Sequence, residues 1–205
     1  MQQNLPLEPY KFYHIYTRGN NKEILFKEQD NYGLFLQLYR KHVSPYIDTF
    51  AYCLLPNHVH LLVRIRNEEA LKPRWINEGE AKLVSIERQL GHLLNAYAKS
   101  INHRYNRIGR LFQHRFGRKE VTSDAYFTRL VFYIHFNPQY HNLICDFKSW
   151  SHSSYKSILS EGSTALRREE VLEWFGGREK YKAFHEEIAA DFTSIAPLIG
   201  DDEAL

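Results

Sequence analysis

Two groups of residues have types and spacings suited to phosphoryl chemistry. The first is His58-Val59-His60. On a strand, residues i and i+2 point to one face, so the two imidazoles stand side by side with Val59 turned into the core. Neutral imidazole is a common ligand of divalent metals, and two on one face can chelate a single ion. Two half-exposed strand histidines with no ligand fit the same pattern. The second group is Tyr133-Ile134-His135-Phe136-Asn137-Pro138. On a helix, i and i+4 share a face, so Tyr133 and Asn137 project together while His135 points elsewhere. A tyrosine hydroxyl can be a covalent nucleophile, and an amide oxygen suits a hard cation. A core aromatic and a helix-terminal asparagine give the same pattern in a chain with 14 tyrosines.

Between these groups lies a basic stretch. From Arg88 to Lys119 there is no Asp or Glu, and the window holds Arg88, Lys99, Arg104, Arg107, Arg110, Arg115, Arg118 and Lys119. It carries +8 against a whole-chain +3, so the rest of the chain carries −5. Tyr97, Tyr105, Phe112 and Phe116 interleave the bases. Lys and Arg neutralise phosphates and aromatic rings stack on bases; a solvated helix face is the plainer alternative. The three features fit one mechanism. A metal on the histidines polarises a scissile phosphate. Tyrosine attacks phosphorus and releases a 3′ hydroxyl, leaving a 5′ phosphotyrosine linkage. A free phenol has a pKa near 10, so its ionisation needs the metal's charge or a neighbouring base.

The elements that position these residues follow from periodicity. Residues 12–18 read as a strand, and Arg18-Gly19-Asn20-Asn21 as a loop. Leu34, Phe35 and Leu38 have helical spacing after Asp30. Residues 46–55 and 58–65 read as a hairpin about Pro56-Asn57. Residues 66–81 are a polar insertion. A long helix spans 82–106 and is broken at Gly109; a weak strand lies near 116–121. Asp124 caps a helix that ends at Asn137-Pro138, because the residue before proline avoids the α region. Short helices follow near 169–175 and 179–192. The expected fold is α+β: a ferredoxin-like or RRM-like antiparallel sheet with helices on one face, plus a C-terminal helical extension. Leu111, Phe112 and Tyr97 read as core. Tyr105 is the best rival nucleophile, Tyr126 a packing residue, and Cys53 a buried structural thiol.

Composition narrows the function classes. The 205 residues are 43% hydrophobic and 25% charged, ordinary for a globular protein and unlike disordered or collagenous chains. No stretch reaches about 18 apolar residues, so no membrane partner is expected. The start, MQQNLPLEPYKF, lacks the pattern of a secretory signal. Two cysteines are too few for a disulfide framework, which fits a reducing, cytoplasmic location.

The motifs together resemble a known family. LLPNHVHLLV is similar to the HUH motif of single-tyrosine transposases, where U is hydrophobic. GRLFQHRF followed by YIHFNP, and the early YHIYTRGNNKEILF, resemble the REP-associated tyrosine transposases, which are IS200-like. The resemblance covers roughly residues 10–158, so the chain divides into a transposase-like domain, 1–158, and an extension, 159–205, with no assigned role. It implies an enzyme that cleaves and rejoins single-stranded DNA at hairpin-forming palindromic repeats, using Mg or Mn. Carried over by motif, Tyr133 is the nucleophile and His58 and His60 are metal ligands. Asn137 stands where related transposases place a metal-associated glutamine. Arg18, Lys99, Arg104, Arg107, Arg110, Arg115, Arg118 and Lys119 are the expected DNA contacts. Insertion-sequence relatives work as homodimers that share sites, whereas REP-associated members can act alone; no residue pattern identifies a dimer face. The alternative function is a non-catalytic hairpin-binding protein on the same fold. The acidic tail, Ala183–Leu205, could dock on the basic window or limit non-specific DNA binding.

Overall fold

The computed structural model describes residues 5–72, 83–113 and 116–190. Arg115, most of the 66–81 insertion and the tail from Asp191 onward lie outside these residues. The elements are β1 (Phe12–Arg18), α1 (Gln29–His42), β2 (Ile47–Leu55), β3 (His58–Ile65), α2 (Glu68–Leu71), α3 (Ile86–Arg104), β4 (Gly117–Val121), α4 (Asp124–Tyr140), α5 (Tyr155–Leu159), α6 (Arg168–Phe175) and α7 (Arg178–Ala190). The four strands form one antiparallel sheet in the order β2-β3-β1-β4. With its two crossover helices, α1 and α3, this is the expected ferredoxin-like α+β arrangement.

Alternation along the strands divides the sheet into two faces. Tyr13 and Ile15 of β1, with Val59, Leu61, Val63 and Ile65 of β3, join one core with α1 and α3. Phe50, Ala51, Cys53, Leu55 and Leu62 join a second core with Phe127, Val131 and Phe132 of α4. The expectation of helices on one face is therefore corrected: α4, α6 and α7 cover the other. The physical reason is visible in β2, which is buried along nearly its whole length. An apolar strand that does not alternate needs cover on both sides. Residues on either side of 158/159 share the second core, since Val171, Phe175 and Tyr181 pack in it. The segment after α4 also shields the β2 edge: Leu54 N–H donates to the His152 carbonyl at 2.9 Å and Arg167 N–H to the Thr49 carbonyl at 2.9 Å. Unpaired edges invite pairing with other chains, and these bonds close this one.

Two helix termini decide the site. Ser123, not Asp124, caps α4, its hydroxyl accepting from Tyr126 N–H at 3.3 Å. The expected stop at Asn137-Pro138 is also corrected, because α4 continues to Tyr140 with Pro138 inside its last turn. Proline removes one helical donor at this position, yet the next turn still closes through His141 N–H to the Asn137 carbonyl at 3.0 Å. The extra turn places His141 eight residues after Tyr133, on the face shared with Asn137.

Candidate active site at the sheet–helix interface

The residues facing α4 from the sheet are His14 and Tyr16 of β1 and His58 and His60 of β3. Register fixes this grouping: Tyr16 pairs with His60 and Arg18 with His58. The Pro56-Asn57 turn that starts β3 is anchored from outside. The Pro56 carbonyl accepts from Leu25 N–H at 2.7 Å and Phe26 N–H at 3.0 Å, and the Asn57 carbonyl from Gly19 N–H at 2.8 Å. Gly19 is required there, because a Cβ would sit 2.0 Å from the Glu23 carbonyl oxygen. Gly117 is required for a related reason: a Cβ would lie 2.1 Å from the Tyr16 ring, which covers it.

Tyr133, Asn137 and His141 come down on these histidines from α4. The Tyr133 ring lies 5.5 Å from the His60 ring and 6.1 Å from that of His14, centroid to centroid. His58 Nε2 is 3.4 Å from Asn137 Oδ1, and the His58 ring is 4.8 Å from that of His141. The Asn137 amide is oriented by its own helix, its Nδ2 donating to the Tyr133 carbonyl at 3.2 Å. On the far side of His58, Nδ1 lies 2.7 Å from Asn57 Oδ1. His60 Nδ1 lies 2.9 Å from His14 Nε2. His14, His58, His60, Tyr133 and Asn137 are all buried.

Burial sets the charge state. It pushes His58 down to about 3, helped by the nearby His141 and Arg18 and opposed by the Asn137 contact. Burial also holds His60 well below its ordinary value, with His58, His14, His141 and Arg18 adding to the effect. Both imidazoles are thus neutral at ordinary pH, the form that ligates metals. In the tautomer in which His58 Nδ1 donates to Asn57 Oδ1, its Nε2 presents a lone pair to Asn137 Oδ1, itself an acceptor. Two acceptors facing each other fit a cation. His58, His60 and Asn137 therefore suit a divalent ion, although no group of three or more His, Cys, Asp or Glu side chains among the described residues forms a metal cluster.

The structure thus brings together all four residues expected to do chemistry. The basic residues separate. Arg18 and Lys119 stand on the sheet face of the histidines, Lys119 lying 5.4 Å over the Tyr126 ring and in register with His14. Lys99 and Arg104 are on α3, which packs on the opposite face. Arg104 is paired with Glu28 at 2.7 Å and Asp30 at 3.4 Å. Arg107 is paired with Glu23 and Asn102. Arg118, with only 11% of its side chain exposed, is held by Glu87 at 3.0 Å. Lys99 and Arg110 are exposed. Among the described residues, the window without acids thus meets acids from elsewhere in the chain at Arg104, Arg107 and Arg118.

The remaining candidates behave as their positions imply. Tyr97 is core and donates to the Leu25 carbonyl at 2.8 Å. Tyr105 donates to Asn31 Oδ1 at 3.1 Å and packs on the α1/α3 side, away from the histidines. Leu111 and Phe112 are buried, as is Cys53, whose thiol burial pushes up. His135 points away from Tyr133, meeting Ser154 Oγ at 2.7 Å and His185 at 3.1 Å. Two site residues escaped the sequence reading. His14 has the strand parity of Tyr16, but only the β1–β3 register places it beside His60. His141 continues the i, i+4 series of Tyr133 and Asn137, a signal hidden by treating Pro138 as the helix end.

No family model matches the chain. A Haemophilus influenzae protein named as a REP-associated tyrosine transposase is 25% identical over 148 residues, spanning 70% of this chain and 78% of that protein. The solved structure of a REP-associated tyrosine transposase bound to a REP hairpin superposes with a TM-score of 0.58 at 14% identity, covering 80% of this chain and 89% of that one. That similarity establishes the shared α+β fold. Among the described residues, no helix is long and apolar enough to cross a membrane.

Proposed function

We propose that this chain is a REP-associated tyrosine transposase, a metal-dependent enzyme that cleaves and rejoins single-stranded DNA at hairpin-forming repeats. The observation that carries the reading is the convergence of His58, His60, Tyr133 and Asn137 at one sheet–helix interface. The similarity to a named transposase over most of the chain supports it.

His58, His60 and Asn137 would hold Mg or Mn. When bound, such an ion polarises phosphoryl oxygens and favours in-line displacement. The Tyr133 oxygen attacks phosphorus, the bond to the 3′ oxygen breaks, and a 5′ phosphotyrosine forms. The phenol proton leaves Tyr133, and the departing 3′ oxygen takes one up. Rejoining is the reverse reaction by a new 3′ hydroxyl. Arg18 stands beside His58 in register, where its charge can meet the phosphate backbone on either side of the cleaved bond. Tyr133 is only 3% exposed in this conformation. Attack on DNA therefore requires the Tyr133 hydroxyl to be uncovered when the substrate binds.

The test is cleavage of hairpin-bearing single-stranded oligonucleotides with manganese supplied or chelated. Cleavage that requires both the metal and an unpaired flank supports the reading. Tight hairpin binding without cleavage in any metal would favour the binding-protein alternative.

A further inference from the structure

His14 makes a direct hydrogen bond to a proposed metal ligand and has no assigned role. Its Nε2 lies 2.9 Å from His60 Nδ1. The ring centroids are 5.1 Å apart and the planes 20° from parallel, and both side chains are buried. Only one of two facing nitrogens carries the shared hydrogen. If His14 donates, a neutral His60 keeps its own hydrogen on Nε2 and offers no lone pair there. If His60 donates, its Nε2 is the lone-pair nitrogen. The neighbouring histidine has contacts that suit the second construction: His58 Nδ1 lies 2.7 Å from the acceptor Asn57 Oδ1, the shorter of its two contacts, and Nε2 lies 3.4 Å from Asn137 Oδ1.

We infer that His14 is a positioning residue that accepts the Nδ1 hydrogen of His60, fixing His60 in the tautomer whose Nε2 can ligate a divalent cation. The two strand histidines are then built alike, each with an outer acceptor on Nδ1: a side-chain amide for one, an imidazole for the other. Such outer partners set ligand orientation and basicity, and their loss costs about 10–100-fold in metal affinity. The inference rests on the metal-site reading above.

The test pairs two readouts on the full chain. Nitrogen-15 NMR of the metal-free protein reads which His60 nitrogen carries the hydrogen. Calorimetric titration with manganese reads affinity for wild type, His14→Phe and His14→Gln. Phenylalanine keeps a buried ring but has no acceptor; glutamine places an amide oxygen near the position of Nε2 but fills the ring's space poorly. The expected results are a hydrogen on His60 Nδ1 in wild type, about 10-fold or greater loss of manganese affinity in His14→Phe, and recovery of most of it in His14→Gln. A purely packing role would reverse the order of the two variants and overturn the inference. So would a wild-type His60 protonated on Nε2, or His14→Phe binding as tightly as wild type. If wild type itself takes no manganese, the metal reading fails, while the His60 tautomer still decides the His14 contact. If His14→Phe fails to fold, the wild-type tautomer and His14→Gln decide it.

Discussion

His58 Nε2 and Asn137 Oδ1 face each other at 3.4 Å across the interface between β3 and α4, while His58 Nδ1 lies 2.7 Å from Asn57 Oδ1 on the other side of the ring. The Asn137 amide cannot turn away from His58 without losing its bond to the Tyr133 carbonyl. Asn137→Ala removes both contacts at a fully buried position. Manganese affinity is expected to fall about 10-fold or more, with about 1–3 kcal/mol of stability lost from the unpaired carbonyl and the vacated space. Calorimetric titration and urea unfolding check the two effects; unchanged manganese affinity would remove Asn137 from the metal site.

Stability should fall on mild acidification. Burial holds His58 and His185 down to about 3, and His60 and His135 well below their ordinary value. An unfolded histidine takes its proton near pH 6.5. Between that pH and about 3 the unfolded chain binds protons that the folded chain does not. The stability present above pH 6.5 is therefore lost progressively as pH falls towards 3, by up to about 1.4 kcal/mol per pH unit for each such histidine. Urea midpoints at neutral pH and at about pH 5 measure it. Equal midpoints would mean that these rings protonate in place.

Asp48 is a structural hub far along the sheet from the histidines. Only 5% exposed, it accepts from Arg64 at 2.9 Å, Arg66 at 2.9 Å and Arg167 at 2.7 Å. Burial raises its carboxyl, and the three guanidiniums outweigh that and hold it below the usual range. Its contribution is thus present above the unfolded carboxylate range and lost as pH falls through the folded value. Asp48→Asn leaves three cations together and should cost about 2 kcal/mol, less than a fully buried pair because the arginines are partly in water. Hairpin affinity should be unchanged; thermal melting and a binding titration separate the two.

The basic residues should divide by function. Arg104 and Arg107 are committed to Glu28, Asp30 and Glu23, whereas Lys99 and Arg110 are exposed. A residue that contacts phosphate contributes about 0.7 to the salt slope of single-strand binding. Arg110→Ala and Lys99→Ala should each lower that slope, while Arg104→Ala and Arg107→Ala should leave the slope nearly unchanged and lower the melting temperature. The reverse pattern would mean that DNA displaces the acidic partners.

The order of elements along the chain and the four chemical residues were legible because periods of 2 and 3.6 are local. His58 and His60 share a strand face, and Tyr133 and Asn137 a helix face, whatever the rest of the chain does. His14 was not legible, since its place beside His60 depends on pairing between strands more than forty residues apart. His141 was hidden by Pro138, which this helix tolerates in its last turn. The covered second face had a signal in the unbroken apolar run of β2, but nothing local said that α4 and the C-terminal helices supply the cover. The ion pairs of Arg104, Arg107 and Arg118 could not be read either, because their acids lie outside the basic window.

The central claim is that Tyr133 forms a covalent bond to DNA. Wild type and Tyr133→Phe would be incubated with single-stranded hairpin oligonucleotides bearing a label at the 3′ end, with manganese added or chelated, and run on a denaturing protein gel. The account predicts a labelled, metal-dependent protein band in wild type that is absent from Tyr133→Phe, and no band when the label is moved to the 5′ end. A band that persists in Tyr133→Phe would place the nucleophile elsewhere and contradict the account.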